Sequence, residues 1–213
     1  MLSFTDPLFI KYANFVGQAE GGLSNNKNDS AAKYVQPGQY HTNKGVIWPT
    51  FKFYAKTLGV KPTYENFINL TKEQSNRILY EYYKLASNGI KDNKTGLILT
   101  NIYWGSGNVL GKHTRLALRK LNLPVKITGN FDQNIKKIIN EQDSNKFNSA
   151  LMDIRKDFLT GLTISEPKNK EFLNGWLKRE NLFSKEFLEI NRPNGNTITV
   201  LALLLTGFFL LKK

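Results

Sequence analysis

Cysteine is missing from this 213-residue chain, and histidine nearly so, with only His41 and His113. The first absence excludes disulfides, thiolate-held metals and a cysteine nucleophile. The second argues against a catalytic zinc site, which draws most of its three protein ligands from histidine. No metal and no cofactor is expected. Acidic residues are also scarce beside basic ones, 17 Asp and Glu against 30 Lys and Arg, for a formal net charge of +13. Lys212 and Lys213 supply two of those charges, which leaves +11 on residues 1–192. Such a balance favours a polyanionic partner, and it does not by itself choose between nucleic acid and an acidic cell wall. The N-terminus lacks a basic segment followed by a long apolar one, so no cleavable signal peptide is expected. Repeats are absent, strand signals are few, and no Gly-x-Ser-x-Gly elbow occurs. The glycines from Gly105 to Gly111 are out of register for a phosphate loop, and His113 stands where such a loop needs Ser or Thr.

What remains is a globular composition, 22% charged and 12% aromatic, long enough for one good-sized core or a core plus a small appendage. Helical signals dominate. Asp6-Pro7 is a cap followed by a residue pre-set for the first turn. Phe9, Ala13 and Val16 then recur at helical spacing until Gly21-Gly22 stops the pattern. Residues 23–46 read as an irregular loop with a short hairpin, and Pro37-Gly38 as a turn. A helix is expected over 48–58. Another opens at the capping box Thr71-Lys72-Glu73-Gln74 and closes at Asn88-Gly89. A loop at 91–96 precedes an apolar run at 97–104, and further helices are expected near 111–121, after Asp132, after Ser144 and around Phe172 to Leu177. The class is therefore mainly α.

The C-terminus reads differently. Residues 193–211 carry no charge, and 198–211 are almost wholly apolar. At about 1.5 Å per residue the apolar stretch spans roughly 21 Å and the uncharged one roughly 28 Å. A bilayer core is about 30 Å thick. This predicts a single hydrophobic helix acting as a short membrane anchor through residues 198–211, with Lys212 and Lys213 reaching the headgroups. A buried core helix, or a tail packed on a partner, is the alternative. The expected division is a catalytic part at 1–105, a second helical part at 106–192 and the anchor at 193–213.

One stretch concentrates possible chemistry. In Gln18-Ala19-Glu20-Gly21-Gly22 a carboxyl group falls at a helix end, where the dipole and partial burial both disfavour its charge. Asp29 follows nine residues later, and Tyr40-His41-Thr42-Asn43-Lys44-Gly45 after a loop. Two carboxyl groups are what glycoside hydrolysis needs, one to protonate the leaving oxygen and one to activate water or form an adduct. Surface charges at such spacing are common, with Asp29 an ordinary turn residue. The two glycines favour the first reading, because they let a sugar approach the backbone.

The ordered set of motifs resembles the N-acetylmuramidases of glycoside hydrolase family 108, a lysozyme-like group of phages and bacteria. Its carriers are Glu20-Gly21-Gly22 with Asn25, Asn28 and Asp29, then Thr42 to Ile47, then Leu70 to Glu73 with Tyr80 to Tyr83, and Trp104-Gly105-Ser106-Gly107. Leu116 to Leu123, Gly129 to Asp132, Arg155 and Phe172 to Arg179 resemble the peptidoglycan-binding region that accompanies this family. By that resemblance the fold is a lysozyme-like helical domain, Glu20 is the general acid, and Asp29 and Thr42 hold the attacking water. The implied reaction cleaves the β-1,4 bond between N-acetylmuramic acid and N-acetylglucosamine, with inversion. Two features depart from the family pattern: Ser30-Ala31-Ala32 replaces Pro-Gly-Gly, and the loop between Asp29 and Thr42 is longer. Asn101 stands near where the family often carries an acid. Gly21, Gly22, Asn101, Tyr103 and Trp104 are the expected substrate contacts, although core packing explains Trp104 equally well and a local bond explains His41. The expectation is thus a membrane-attached peptidoglycan hydrolase of phage lysis or virion entry, with no specific nucleic acid partner. A catalytically lapsed wall-binding protein and a basic nucleic-acid-binding virion protein are the alternatives.

Overall fold

A computed structural model describes residues 1–188. The fold is mainly helical with one small three-stranded sheet. Helix α1, Pro7–Glu20, starts where Asp6 accepts the Leu8 N–H at 2.8 Å and ends at Gly21, whose φ of 65° takes the chain out of the helix. It buries Phe9, Tyr12, Ala13, Phe15 and Val16. Strands β1 (Leu23–Ser24), β2 (Thr42–Asn43) and β3 (Val46–Ile47) pair antiparallel in sequence order. Ser24 faces Thr42 across the first pair, and Thr42 faces Ile47 across the second. Lys44 and Gly45 turn between β2 and β3 with φ of 49° and 78°. Two consecutive positive values match the twist of a tight hairpin.

Helices α2 (Trp48–Tyr54), α3 (Tyr64–Ile68), α4 (Lys72–Ser87), α5 (Asn93–Ser106) and α6 (Leu110–Lys120) follow, then α7 (Gln133–Asn140), α8 (Ser144–Ser165) and α9 (Lys170–Phe183). The capping box at Thr71 and Gln74 forms as the sequence predicts. Three elements differ from expectation. The helix expected over 48–58 ends at Tyr54, because the chain turns through Gly59 with the Val60 N–H on the Ala55 carbonyl. The loop expected at 91–96 is the first turn of α5, since Asp92 accepts from both the Thr95 N–H and its hydroxyl. Gly96 is there for packing: a Cβ on it would lie 3.0 Å from Ser87 Cβ on α4. Helix α3 has no strong periodic signal. Thr63 caps it, and the fully buried Phe67 holds it down.

Val46, Phe51, Ala55, Phe67, Leu70 and Ile78 form a buried cluster, with Trp48, Tyr54, Tyr82 and Trp104 packed against it. Truncating Phe51 or Phe67 to alanine would cost about 3–5 kcal/mol. The sheet is thereby stitched to the core through Val46. Beside Val46 on the same face, its cross-strand partner Asn43 donates to the Phe67 and Ile68 carbonyls at 2.9 and 3.0 Å, which satisfies the end of α3.

The chain divides into two compact units, Met1–Ile154 and Arg155 onward, with the division inside α8. In the second unit Arg155 Nε donates to Glu180 Oε1 at 3.2 Å, with both side chains buried. Burial lowers the Arg155 guanidinium from its ordinary range, and the Glu180 carboxylate offsets that. Phe172 and Trp176 stack at 5.8 Å. The predicted membrane anchor, residues 198–211, lies outside the described residues. Among the described residues no helix is long and apolar enough to cross a membrane.

Candidate active site

Glu20 is the last residue of α1 and is half-buried. Its carboxylate is held from two sides. Trp104, near the end of α5, donates its indole N–H to Glu20 Oε1 at 3.1 Å. The β2–β3 turn lies directly on the side chain: a Cβ built on Gly45 would fall 2.7 Å from Glu20 Cγ, 2.9 Å from Cδ and 3.1 Å from Oε2. Only glycine fits that contact at that φ without movement. Gly45 belongs to the Thr42 to Ile47 motif, which does not disclose this role, although an Asn43-Lys44-Gly45 turn between short apolar strands carries the signal.

The turn is fixed in its own right. The Lys44 N–H donates to the Gly22 carbonyl at 3.2 Å, and the Lys44 carbonyl accepts from the Ser75 hydroxyl of α4 at 3.1 Å. Gly21 and Gly22 are exposed, with open space where a Cβ would be. A ligand can therefore approach the backbone beside Glu20.

Trp104 packs against the core and also carries a bond that neither of its expected readings included. Its ring packs on the buried cluster and meets Tyr82 edge-on at 5.1 Å, while its polar edge serves Glu20. Tyr103 lies against Tyr82 at 4.9 Å, and Tyr54 meets Tyr82 at 6.1 Å. Burial, reinforced by Tyr82, raises the Tyr103 hydroxyl above its ordinary pKa. Burial, then Tyr82 and Tyr103, pushes Tyr54 up to about 12. At neutral pH these phenols stay protonated, so the row extending from Trp104 is aromatic and uncharged. Phe53, 78% exposed, meets Tyr54 at 4.9 Å.

Asp29 occupies different ground. It precedes a 3-10 turn at Ser30–Tyr34, and its Oδ1 accepts the Ala31 N–H at 2.8 Å. One carboxylate oxygen thus caps the turn. Ser30-Ala31-Ala32, the departure noted in the sequence, is the turn that needs this cap. Thr42 is half-buried on the central strand, and its hydroxyl lies 2.8 Å from His41 Nδ1. His41 Nε2 lies 3.1 Å from the Asn26 carbonyl, which also accepts the Asp29 N–H at 3.0 Å. Asp29 and Thr42 are therefore linked through Asn26 and His41. Thr42 is joined to the Glu20 side through the hairpin.

Asn101 is 1% exposed inside α5. That burial removes it from the surface a substrate meets, which corrects its expected place as a direct contact. Its position one helical turn before Trp104 faces it inward. Among the described residues no group of His, Asp and Glu side chains could hold a metal ion.

Outside this site Gly129-Asn130-Phe131-Asp132 proves to be the entry to α7. Asp132 caps it by accepting the Ile135 N–H at 3.0 Å, and Arg115 donates to its other oxygen at 3.2 Å and to the Asn130 carbonyl. The backbone bond first, and then the Arg115 charge, hold the Asp132 carboxyl below the usual carboxylate range.

No protein-family model matches the chain, and no curated protein matches it. The fold itself has a solved relative. The structure of SagA from Brucella abortus is similar over 88% of this chain and 97% of its own, with a TM-score of 0.62 at 21% sequence identity.

Proposed function

We propose that the chain is a lysozyme-like peptidoglycan hydrolase, an N-acetylmuramidase that cuts the bond between N-acetylmuramic acid and N-acetylglucosamine. The observation that carries this reading is the seat of Glu20: a carboxyl group at a helix end, clamped by an indole N–H and a glycine turn beside open backbone. The order of motifs resembling family 108 muramidases supports it, as does the net positive charge against an acidic wall.

In this reading protonated Glu20 gives its proton to the glycosidic oxygen as the bond to the anomeric carbon breaks. Asp29, through its oxygen not engaged by Ala31, takes a proton from a water that Thr42 helps to hold. That water attacks the anomeric carbon from the opposite face, with inversion. Gly21 and Gly22 admit the sugar, and Tyr103 and Trp104 supply aromatic faces. Residues 106–192 serve as the wall-contacting part, and residues 198–211 anchor the enzyme to a viral or bacterial membrane.

A suspension of purified cell walls tests the proposal. Wild type should clear it, and Glu20→Gln should clear it about 10²–10⁴-fold more slowly while pelleting with the walls as well as wild type. Pelleting without clearing by wild type would make the chain a wall-binding module. Salt-sensitive retention on DNA, with no wall binding, would make it a nucleic-acid-binding protein.

A further inference from the structure

We infer that His41 is a positioning residue that sets the hydrogen-bond polarity of Thr42; the inference rests on the muramidase reading above. His41 is 1% exposed, and its two ring nitrogens meet chemically different partners. Nε2 lies 3.1 Å from the carbonyl oxygen of Asn26, and Nδ1 lies 2.8 Å from Thr42 Oγ1. A carbonyl can only accept, so the first contact requires a hydrogen on Nε2. The neutral ring then has none on Nδ1, which accepts. Thr42 gives its one hydroxyl hydrogen to Nδ1, and its oxygen faces all other groups as an acceptor.

That polarity matters for a nucleophilic water. A water held by Thr42 must donate a hydrogen to Oγ1, which leaves a lone pair of the water available to the anomeric carbon. Were Thr42 free to rotate, or were Nδ1 a donor, the hydroxyl hydrogen could occupy that lone pair. The same ring also ties in Asp29, because the Asn26 carbonyl accepts both His41 Nε2–H and the Asp29 N–H, the latter at 3.0 Å. The root of the ring is held in turn. The His41 N–H donates to the Ser24 carbonyl, and the His41 carbonyl accepts the Trp48 N–H, each at 3.0 Å. One buried imidazole therefore spaces and orients both residues assigned to the water. It does so without touching substrate.

Two measurements on the full chain test this. The first is the ¹⁵N long-range NMR spectrum of the imidazoles, simple to assign with two histidines in the sequence. His41 should show a hydrogen on Nε2 and a bare Nδ1 at neutral pH; an Nδ1–H tautomer or a cationic ring overturns the inference. The second is wall hydrolysis by single and double variants. His41→Gln, which keeps a donor near the Nε2 position but no acceptor at Nδ1, should lower kcat about tenfold with KM and wall pelleting little changed. His41→Asn, whose oxygen replaces Nδ1, should recover part of that loss. In a Thr42→Val background His41→Gln should cost nothing further, whereas an undiminished loss would mean a merely structural role and overturn the inference. If wild type cuts walls and His41→Gln cuts equally well, this inference alone fails. If wild type cuts nothing although the ring carries the expected tautomer, the muramidase reading has failed and this inference falls with it.

Discussion

Glu20 and Asp29 stand nine residues apart in the chain, and the two regions that hold them are built on different physics. Around Glu20 the supports are rigid elements: the end of α1, the end of α5, and a hairpin whose Val46 is fully buried with Phe51 and Phe67. Its carboxylate meets one indole donor and the face of one glycine. Around Asp29 the chain from 25 to 41 has little apolar anchoring beyond Ala31. It depends on single hydrogen bonds: the Asp29 cap on Ala31, the Asn26 carbonyl, and the His41 ring. Packing positions the proposed acid, whereas a short polar relay positions Asp29 and Thr42. The first should tolerate small polar changes and reject added volume. The second should behave the opposite way.

Added volume at Gly45 breaks the packed side most directly. Gly45→Ala should lower wall-cutting about 10²-fold, because its methyl group must displace Glu20 and an ångström of misplacement is worth that much. The left-handed backbone should cost a further ~1 kcal/mol of stability, read as a lower urea midpoint. Wild-type activity in Gly45→Ala would mean that Glu20 is not held by that turn.

Asp29 separates structure from chemistry. Asparagine still caps a turn, so Asp29→Asn should leave stability within ~0.5 kcal/mol of wild type while activity falls by about 10². Asp29→Ala should lose both activity and about 1 kcal/mol of stability. Equal activity in Asp29→Asn and wild type would move the base elsewhere. Trp104→Phe keeps the ring and removes one donor, so a five- to tenfold loss of kcat is expected, on the order of one hydrogen bond. Wild-type kcat in Trp104→Phe would mean that the indole bond does not serve Glu20.

Asp132 marks the smallest effect and lies away from both regions. Its carboxyl is held below its ordinary value in the folded chain. The stability it contributes is therefore present above the unfolded-state pKa and is lost as pH falls through the lowered one. With the side chain about half exposed, the effect is small. Asp132→Asn should lower the urea midpoint at pH 7, and the difference should vanish at strongly acid pH.

Much of this was legible in the residues. Capping at Asp6, Thr71 and Asp132, the stop at Gly21-Gly22 and the mainly helical class all follow from local chemistry, which acts within a few residues. Glu20 could be placed at a helix end for the same reason. Its partners could not, because Trp104 lies 84 positions away and Gly45 reaches it only through tertiary folding. The loop expected at 91–96 is helical for a related reason: Asp92 caps α5 there, and Gly96 lets α4 and α5 approach. Asn101 falls in the run 97–104, which is apolar almost throughout and so shows neither its helical period nor an inner and outer side. His41 was legible as locally bonded. That its two nitrogens bridge Asn26 and Thr42 follows only from the fold, which brings position 26 to position 41.

The most direct test of the central claim is the chemistry of the new chain ends. Cell walls digested by the wild-type chain, reduced with borohydride and separated by mass spectrometry, should carry the reduced form of N-acetylmuramic acid at every new end, and Glu20→Gln should yield almost none. New ends of reduced N-acetylglucosamine, of 1,6-anhydro-N-acetylmuramic acid, or equal yields from wild type and Glu20→Gln would contradict a muramidase that works through Glu20.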